Sequence, residues 1–315
     1  MAAKRRIIID TDPGQDDAVA ILLALASTEE LEVIGVVAVA GNTTLPRTSA
    51  NARRIVQLSG RTDVPVYAGC ERPMTRKLVT AEYFHGPTGL DGFRLPPPTM
   101  PLEAKHGVDF IVDTLAAAEP GSVTLCALGP LTNVAMALVK APAIAERIRE
   151  IVMMGGAYFE GGNITPTAEF NIYVDPEAAD VVMNSGAPIT MAPLDLTHRV
   201  LSTRERIEAI GALKNAVGPA VAGLLSFSER FDLAKYGWNG APLHDPCVIA
   251  WLLKPELFKG KSINVSIETA SPLTLGMTVA DWWQITDRPR NVNFLREADA
   301  DGFYALLTER LARLP

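Results

Sequence analysis

Ile7-Ile8-Ile9-Asp10-Thr11-Asp12-Pro13-Gly14-Gln15-Asp16-Asp17-Ala18 puts four carboxylates into eight residues, with an apolar run on one side and the apolar stretch 18–26 on the other. Like charges this close repel one another unless a cation sits among them. The isoleucines before Asp10 read as a buried strand, and Asp16-Asp17 followed by AVAILLALA reads as the start of an apolar helix. A loop at the carboxyl end of a parallel strand is where open α/β sheets bind ligands. Oxygen-rich clusters suit hard divalent cations, Ca²⁺ or Mg²⁺, better than zinc. The stretch predicts a metal-dependent enzyme.

Strand and helix patterns alternate outward from it. LEVIGVVAVA (31–40), VPVYAG (64–69), SVTLCAL (122–128), EIVMMGG (150–156) and APITMAP (187–193) read as strands. RTSANARRIVQLSG (47–60), LTNVAMALVKA (131–141) and PEAADVVMNSG (176–186) read as helices. Continuous Val/Ile/Leu strands separated by helices indicate an α/β fold, a mostly parallel sheet with helices on both faces. Right-handed crossovers then put the strand-end loops on one rim. Those loops carry the polar residues: 10–17, Gly41-Asn42, 128–130, 154–171 and Leu194-Asp195. Residues 70–101 are Gly/Pro-rich without periodicity and read as a long functional loop. Segment 215–240 reads as a helix with several aromatics that ends in YGWNGAP and covers the site as a flap. No repeat or linker interrupts the chain, so one domain spanning 1–315 is expected.

Composition narrows the class. The chain has 315 residues, 48% of them hydrophobic, and a formal charge of −7 from 29 basic and 36 acidic residues. No basic cluster exists beyond Lys4-Arg5-Arg6, so nucleic acid is not an expected partner. No apolar run reaches the length of a membrane span, and no signal-peptide pattern precedes the aspartates. Cys70, Cys126 and Cys247 are odd in number and widely spaced, which favours a reducing cytoplasm over a disulfide framework or a zinc knuckle. Cys126 and Cys247 read as small buried hydrophobes.

Three constellations carry chemistry. In the first, the Pro13-Gly14 turn folds Asp12 back onto a helix start at which Asp16 and Asp17 point about 100° apart. They cannot do identical work: one can chelate metal while the other faces a ligand. A helix N-cap explains one such aspartate but not four. The second is Gly240-Ala241-Pro242-Leu243-His244-Asp245-Pro246, ahead of the apolar helix CVIAWLL. Alone it also reads as a plain cap, with Asp245 capping and Pro246 at the first helical position. Beside the first cluster it offers a remote carboxylate for calcium and an imidazole whose ordinary pKa suits proton transfer to a leaving group. The third is Ala168-Glu169-Phe170-Asn171 with Asn163 upstream, acceptors and donors that suit sugar hydroxyls. Asn163 equally reads as a turn former. Phe227 and Phe231, four apart, read as a core stripe of their helix, whereas Tyr236 and Trp238 beside GAPLHDP read as flap residues able to stack on a ligand. His106 and His198 read as structural, and Trp251, Trp282 and Trp283 as core or interface.

DTDPGQDDA at 10–18, GNTT at 41–44, HGPTGLDG at 85–92, LGPLTN at 128–133, MGGAYFEGGN through AEFNIYVDPEAA at 154–179 and PLHDP at 242–246 run in order over nearly the whole chain. Together they resemble the nucleoside hydrolases, the inosine-uridine-preferring or pyrimidine-specific ribonucleoside N-ribohydrolases. The resemblance implies a single Rossmann-like domain that hydrolyses the N-glycosidic bond of ribonucleosides with one Ca²⁺ per subunit. It implies Asp12, Asp17 and Asp245 as side-chain calcium ligands, with the Leu128 carbonyl beside them. Asp16, Asn42, Asn163, Glu169 and Asn171 match ribose-binding positions, and Met154 lines the same pocket. Asp12 matches the residue that takes a proton from the metal-bound water. His244, with His85, matches residues around the nucleobase, and Asp10 a supporting position. HGPTGLDG and YGWNGAPLHDP look more like the pyrimidine-preferring branch than the purine-specific one, which leaves a broad inosine-uridine hydrolase as the alternative. A homodimer or homotetramer is also implied.

Two other classes share features of this sequence. A haloacid-dehalogenase-like phosphohydrolase also opens with an apolar strand and DxD, but here Pro13-Gly14 follows Asp12 where that class needs a DxDGT-like continuation. A calcium-dependent nucleoside- or sugar-binding protein would not need a base at Asp12.

Overall fold

The computed structural model describes residues 3–315. The first half of the chain alternates as the sequence predicts: β1 (Arg5–Thr11), α1 (Gln15–Ala26), β2 (Leu31–Ala38), α2 (Leu45–Leu58), β3 (Val66–Ala68), then a single helical turn α3 (Glu82–His85) inside the long loop, and α4 (Gly107–Ala117). It continues with β4 (Val123–Ala127), α5 (Thr132–Lys140), β5 (Ile148–Met154), α6 (Phe170–Val174), α7 (Pro176–Met183), β6 (Ile189–Ala192) and the short α8 (Leu194–Thr197). The remainder comprises β7 (Leu201–Ser202), α9 (Arg204–Gly211), α10 (Val217–Tyr236), β8 (Ala241–Pro242), α11 (Pro246–Leu253), β9 (Phe258–Ile263), β10 (Val265–Ile267), β11 (Thr278–Ala280), β12 (Val292–Ala298) and α12 (Ala300–Leu311).

Eight strands form one sheet in the order β3-β2-β1-β4-β5-β6-β12-β9. Every pairing is parallel except β12 with the edge strand β9. The first six follow the doubly wound order 3-2-1-4-5-6, whose direction of winding reverses between β1 and β4. Alternation along β1 sends Ile7 and Ile9 into one apolar layer and Ile8 into the other, so both faces are buried. Cys126 and Cys247 are buried within the first layer.

α1 is apolar around its whole circumference. Ala18 through Leu25 are at most 1% exposed, and the helix packs against α2, α10, α11 and α12. A helix of that composition is a core element rather than an amphipathic surface one. No described helix is long and apolar enough to cross a membrane.

Candidate active site

The crevice between the carboxyl ends of β1 and β4 holds the acidic cluster. Gly14 is the extended N-cap of α1, and Asp17 in the first turn reaches back over it. Asp17 Oδ2 accepts from the Gly14 amide at 2.9 Å, while Oδ1 accepts from Thr11 Oγ1 at 2.5 Å and the Asp12 amide at 3.2 Å. Asp12 Oδ2 accepts from the Asn42 amide at 2.7 Å. Gly41 and Gly129 flank it so closely that an added Cβ would lie 2.1 Å from Oδ2 and 2.3 Å from Oδ1. Only glycine fits at either position.

Asp245 is brought in from the start of α11. It makes no side-chain cap bond to that helix, so plain capping does not account for it. Carboxylate oxygens of Asp16, Asp17 and Asp245 lie within 4.8 Å of one another. The resemblance implied Asp12, Asp17 and Asp245 as the side-chain ligands; Asp12 stands beside this trio, close enough for its charge to act on Asp245.

Burial pushes the Asp16 carboxyl up to about 6, and burial together with the charge of Asp16 pushes Asp17 up to about 6. Asp12 and Asp245 are driven well above the usual carboxylate range, first by burial and then by the neighbouring aspartates. The charges acting on Asp12, Asp17 and Asp245 are those of the cluster itself.

Above the acids lies a cavity of about 240 Å³. Asp16, Asp245, Asn42, Leu128, Met154, Asn163, Glu169 and Asn171 line its polar side. Glu169 caps α6, accepting from the amides of Asn171 at 2.8 Å, Ile172 at 3.2 Å and Gly156 at 2.9 Å. Burial raises its carboxyl to about 7. Asn171 Nδ2 donates to the carbonyls of Leu128 at 2.7 Å and Met154 at 3.2 Å. Asn42 Nδ2 donates to the Asp12 carbonyl at 3.1 Å and to Asp17 Oδ2 at 3.3 Å. Asn163 Oδ1 accepts from the Phe170 amide at 2.9 Å, and its carbonyl accepts from Lys235 Nζ at 2.8 Å. The residues singled out for ribose thus share one wall.

The same cavity is also lined by aromatic and imidazole side chains, Phe84, Phe231, Tyr236, His85, His198 and His244. Burial lowers His85 to about 3 and His244 to about 4. His244 is therefore neutral at pH 7. It can donate from one ring nitrogen but is not the charged acid that an imidazole of ordinary pKa would be.

Three sequence expectations need correction. His198 is not merely structural: it faces the cavity with its ring 4.8 Å from Trp238 and 6.0 Å from His244. Phe231 does not join a core stripe. It is 40% exposed, lines the cavity and meets Phe84 at 5.4 Å. Trp238 stacks on Tyr236 at 4.3 Å and 11° and supports it, while Tyr236 itself forms the wall. Of the tryptophans left as core or interface, Trp251 and Trp282 pack on the core, and Trp283 is 71% exposed.

Sequence reasoning missed several residues that shape the site. Gln15 Nε2 donates to the carbonyls of His85 and Asp91, both at 3.0 Å. Asp195 accepts from the amides of Tyr158 at 2.9 Å, Phe159 at 2.6 Å and Glu160 at 3.2 Å, anchoring the loop after β5. Asn133 Nδ2 donates to Asp10 Oδ1 at 2.8 Å, placing Asp10 in a supporting layer behind the cluster. Gln15 and Asn133 stand inside motifs already noted, DTDPGQDDA and LGPLTN, and were there to be read. Asp195 had only its strand-end position to mark it.

Fold and cavity together define a doubly wound α/β protein with an acidic ligand crevice at the switch point of its sheet. The chain belongs to the inosine-uridine preferring nucleoside hydrolase family, whose model matches residues 7–305. It is thus an N-glycosyl hydrolase acting on nucleosides. The pyrimidine-specific ribonucleoside hydrolase RihA of Photobacterium profundum is 50% identical over 310 residues, covering 98% of this chain and 99% of that protein. Among solved structures, a purine-preferring ribonucleoside hydrolase from Gardnerella vaginalis is 32% identical with a TM-score of 0.91, over 98% of both chains. A plant nucleoside hydrolase is 31% identical with a TM-score of 0.92, over 98% of this chain and 99% of the other.

Proposed function

We propose that this enzyme hydrolyses pyrimidine ribonucleosides, uridine and cytidine, to ribose and free base, and that it does so with Ca²⁺. The observation that carries the reading is the meeting of Asp16, Asp17 and Asp245 within 4.8 Å beneath a cavity walled by Glu169 and Asn171. Buried carboxylates that raise one another's pKa without a compensating side-chain charge fit a divalent cation. The donors are all oxygen, and the Leu128 carbonyl lines the same cavity, a set better matched to Ca²⁺ than to zinc. Asp12, Asp17 and Asp245 would hold the ion with the Leu128 carbonyl beside them, leaving Asp16, which lines the cavity, for the ribose. A bound Ca²⁺ supplies Lewis acidity at neutral pH.

The chain's own groups do the rest. Asp12 Oδ2 is engaged by the Asn42 amide, which leaves Oδ1 to accept a proton from the attacking water. Asp16, Asn163, Glu169 and Asn171 hold the ribose hydroxyls and fix the anomeric carbon in place. Carboxylates gathered beneath the sugar favour the positive charge that develops as the C1′–N bond breaks. His244 donates to the departing base, and Tyr236, Phe231 and Phe84 cover it against water. The pyrimidine preference is supported by relatives of 48–50% identity bearing the name pyrimidine-specific, and a structural neighbour of 32% identity that bears the name purine-preferring makes the purine arm of the test necessary.

The test is ribose release from uridine, cytidine and inosine after chelation and after return of Ca²⁺ or Mg²⁺. Chelation should abolish turnover, Ca²⁺ should restore it, and kcat/KM should be higher for the two pyrimidine nucleosides. Inosine turned over as fast as uridine, or activity indifferent to chelation, would overturn the corresponding half of the proposal.

A further inference from the structure

Two of the cavity's imidazoles are each held at one ring nitrogen by a buried neighbour, and the two neighbours offer opposite chemistry. Gln15 is 1% exposed, and its Nε2 donates to two carbonyls, of His85 and Asp91. The orientation of the amide is thereby fixed, so the atom 2.5 Å from His85 Nδ1 is Oε1, an oxygen that can only accept. His85 must carry its proton on Nδ1, and its Nε2 is left as a bare acceptor.

Thr197 ends α8 with 0% exposure, and its Oγ1 lies 2.7 Å from His244 Nδ1. Among the described residues that nitrogen is the hydroxyl's one hydrogen-bond partner. A buried hydroxyl proton with no acceptor costs more than an idle lone pair, so the hydroxyl donates to Nδ1. A neutral imidazole that accepts at Nδ1 carries its proton on Nε2. Burial lowers His85 to about 3, so its ring is neutral at pH 7.

We propose that Gln15 and Thr197 are positioning residues that lock His85 and His244 in opposite tautomers, so that the base end of the cavity presents one bare nitrogen acceptor and one N–H donor. The pair matches a base edge that offers a donor beside an acceptor, as uracil does at N3–H with O4 and cytosine does at N4–H with N3. This assignment rests on the reading of the cavity as a nucleoside site and sharpens it to bases whose ring edge carries such a pair. When the C1′–N1 bond breaks, its electron pair goes to the pyrimidine ring and spreads onto O2 and O4, where the His244 donor strengthens as charge develops.

The chain has four histidines, so ¹⁵N-histidine labelling gives a spectrum of four rings, each assignable by a single His→Gln replacement. In the enzyme as purified, long-range ¹H–¹⁵N correlations should show His85 protonated at Nδ1 and His244 at Nε2. The reverse at either ring overturns the proposal, whether or not any nucleoside is cleaved. Thr197→Val should release His244 from its single tautomer and lower kcat on uridine on the order of 10- to 100-fold, with less effect on a nitrophenyl riboside whose leaving group needs no donor. Thr197→Ser keeps the hydroxyl and should restore both the spectrum and the rate. An unchanged His244 signal in a folded Thr197→Val protein would remove Thr197 from the argument. N3-methyluridine should be cleaved far more slowly than uridine, and equal rates would refute the reading of the base edge. If no nucleoside releases ribose while the tautomers stand as stated, the proposed function fails and the tautomer assignment survives.

Discussion

Asp12 shows how tightly single residues are specified here. Its two oxygens are pressed between Gly41 and Gly129, and the Asn42 amide occupies one of them. Asp12→Asn should therefore keep its place while losing the capacity to take a proton. Turnover of uridine is expected to fall about 10²- to 10⁴-fold, while calorimetric Ca²⁺ affinity falls much less. Comparable losses in both would make Asp12 chiefly a ligand. Residues of this kind were legible because their motifs concentrate charge where charge is costly: four aspartates in eight positions, and a His-Asp pair between prolines. Their division of labour was less legible. Nothing in the sequence shows that Thr11 and Gly14 hold Asp17 at the strand end, or that carboxylate oxygens of Asp16, Asp17 and Asp245 meet within 4.8 Å. Thr197 ends a four-residue helix too short to carry a pattern and His198 is its C-cap, so neither announced its place at the site.

The elements divide in the same way. Strands buried on both faces were readable as apolar runs, and α1 as a run too uniform for a surface helix. β9 was missed because an edge strand, FKGKSI, sets the exposed Lys259 and half-buried Lys261 between its buried ends. β12 was missed because VNFLREA follows a polar, proline-containing stretch and owes its place to β6 and β9 rather than to its own pattern. The loop after β5 owes its form to α8, through the three amides that Asp195 accepts. Asp195→Ala should loosen that loop and the Asn163 and Glu169 it leads to. A several-fold rise in KM with a smaller change in kcat is expected, together with faster hydrogen exchange over 156–168. Unaltered exchange there would show that the loop holds itself.

For the molecule as a whole, the cluster sets a relation between pH, cation and stability. Asp16 and Asp17 rise from an ordinary 3.8 to about 6 in the folded chain. Between about pH 4 and 6 the folded state therefore holds protons that the unfolded state has released, and each step up in pH costs stability, fully so above about 6. Ca²⁺ binds the ionised form and removes that cost. The rise in Tm on adding Ca²⁺ should be clearly larger at pH 7.5 than at pH 5, as scanning calorimetry would show, and an equal rise at both would separate the cluster from the cation. The same relation reaches the interior through α1. With no face turned to solvent, this helix behaves as a shaft clamped along its length, and the acids at its tip cannot swivel independently of the hydrocarbon that grips it. Leu22, 0% exposed and more than a turn below Asp17, touches no ligand. Truncating it to alanine should cost about 2–5 kcal/mol and also blunt cation affinity, so that selection acting on chemistry and selection acting on durability fall on the same twelve residues.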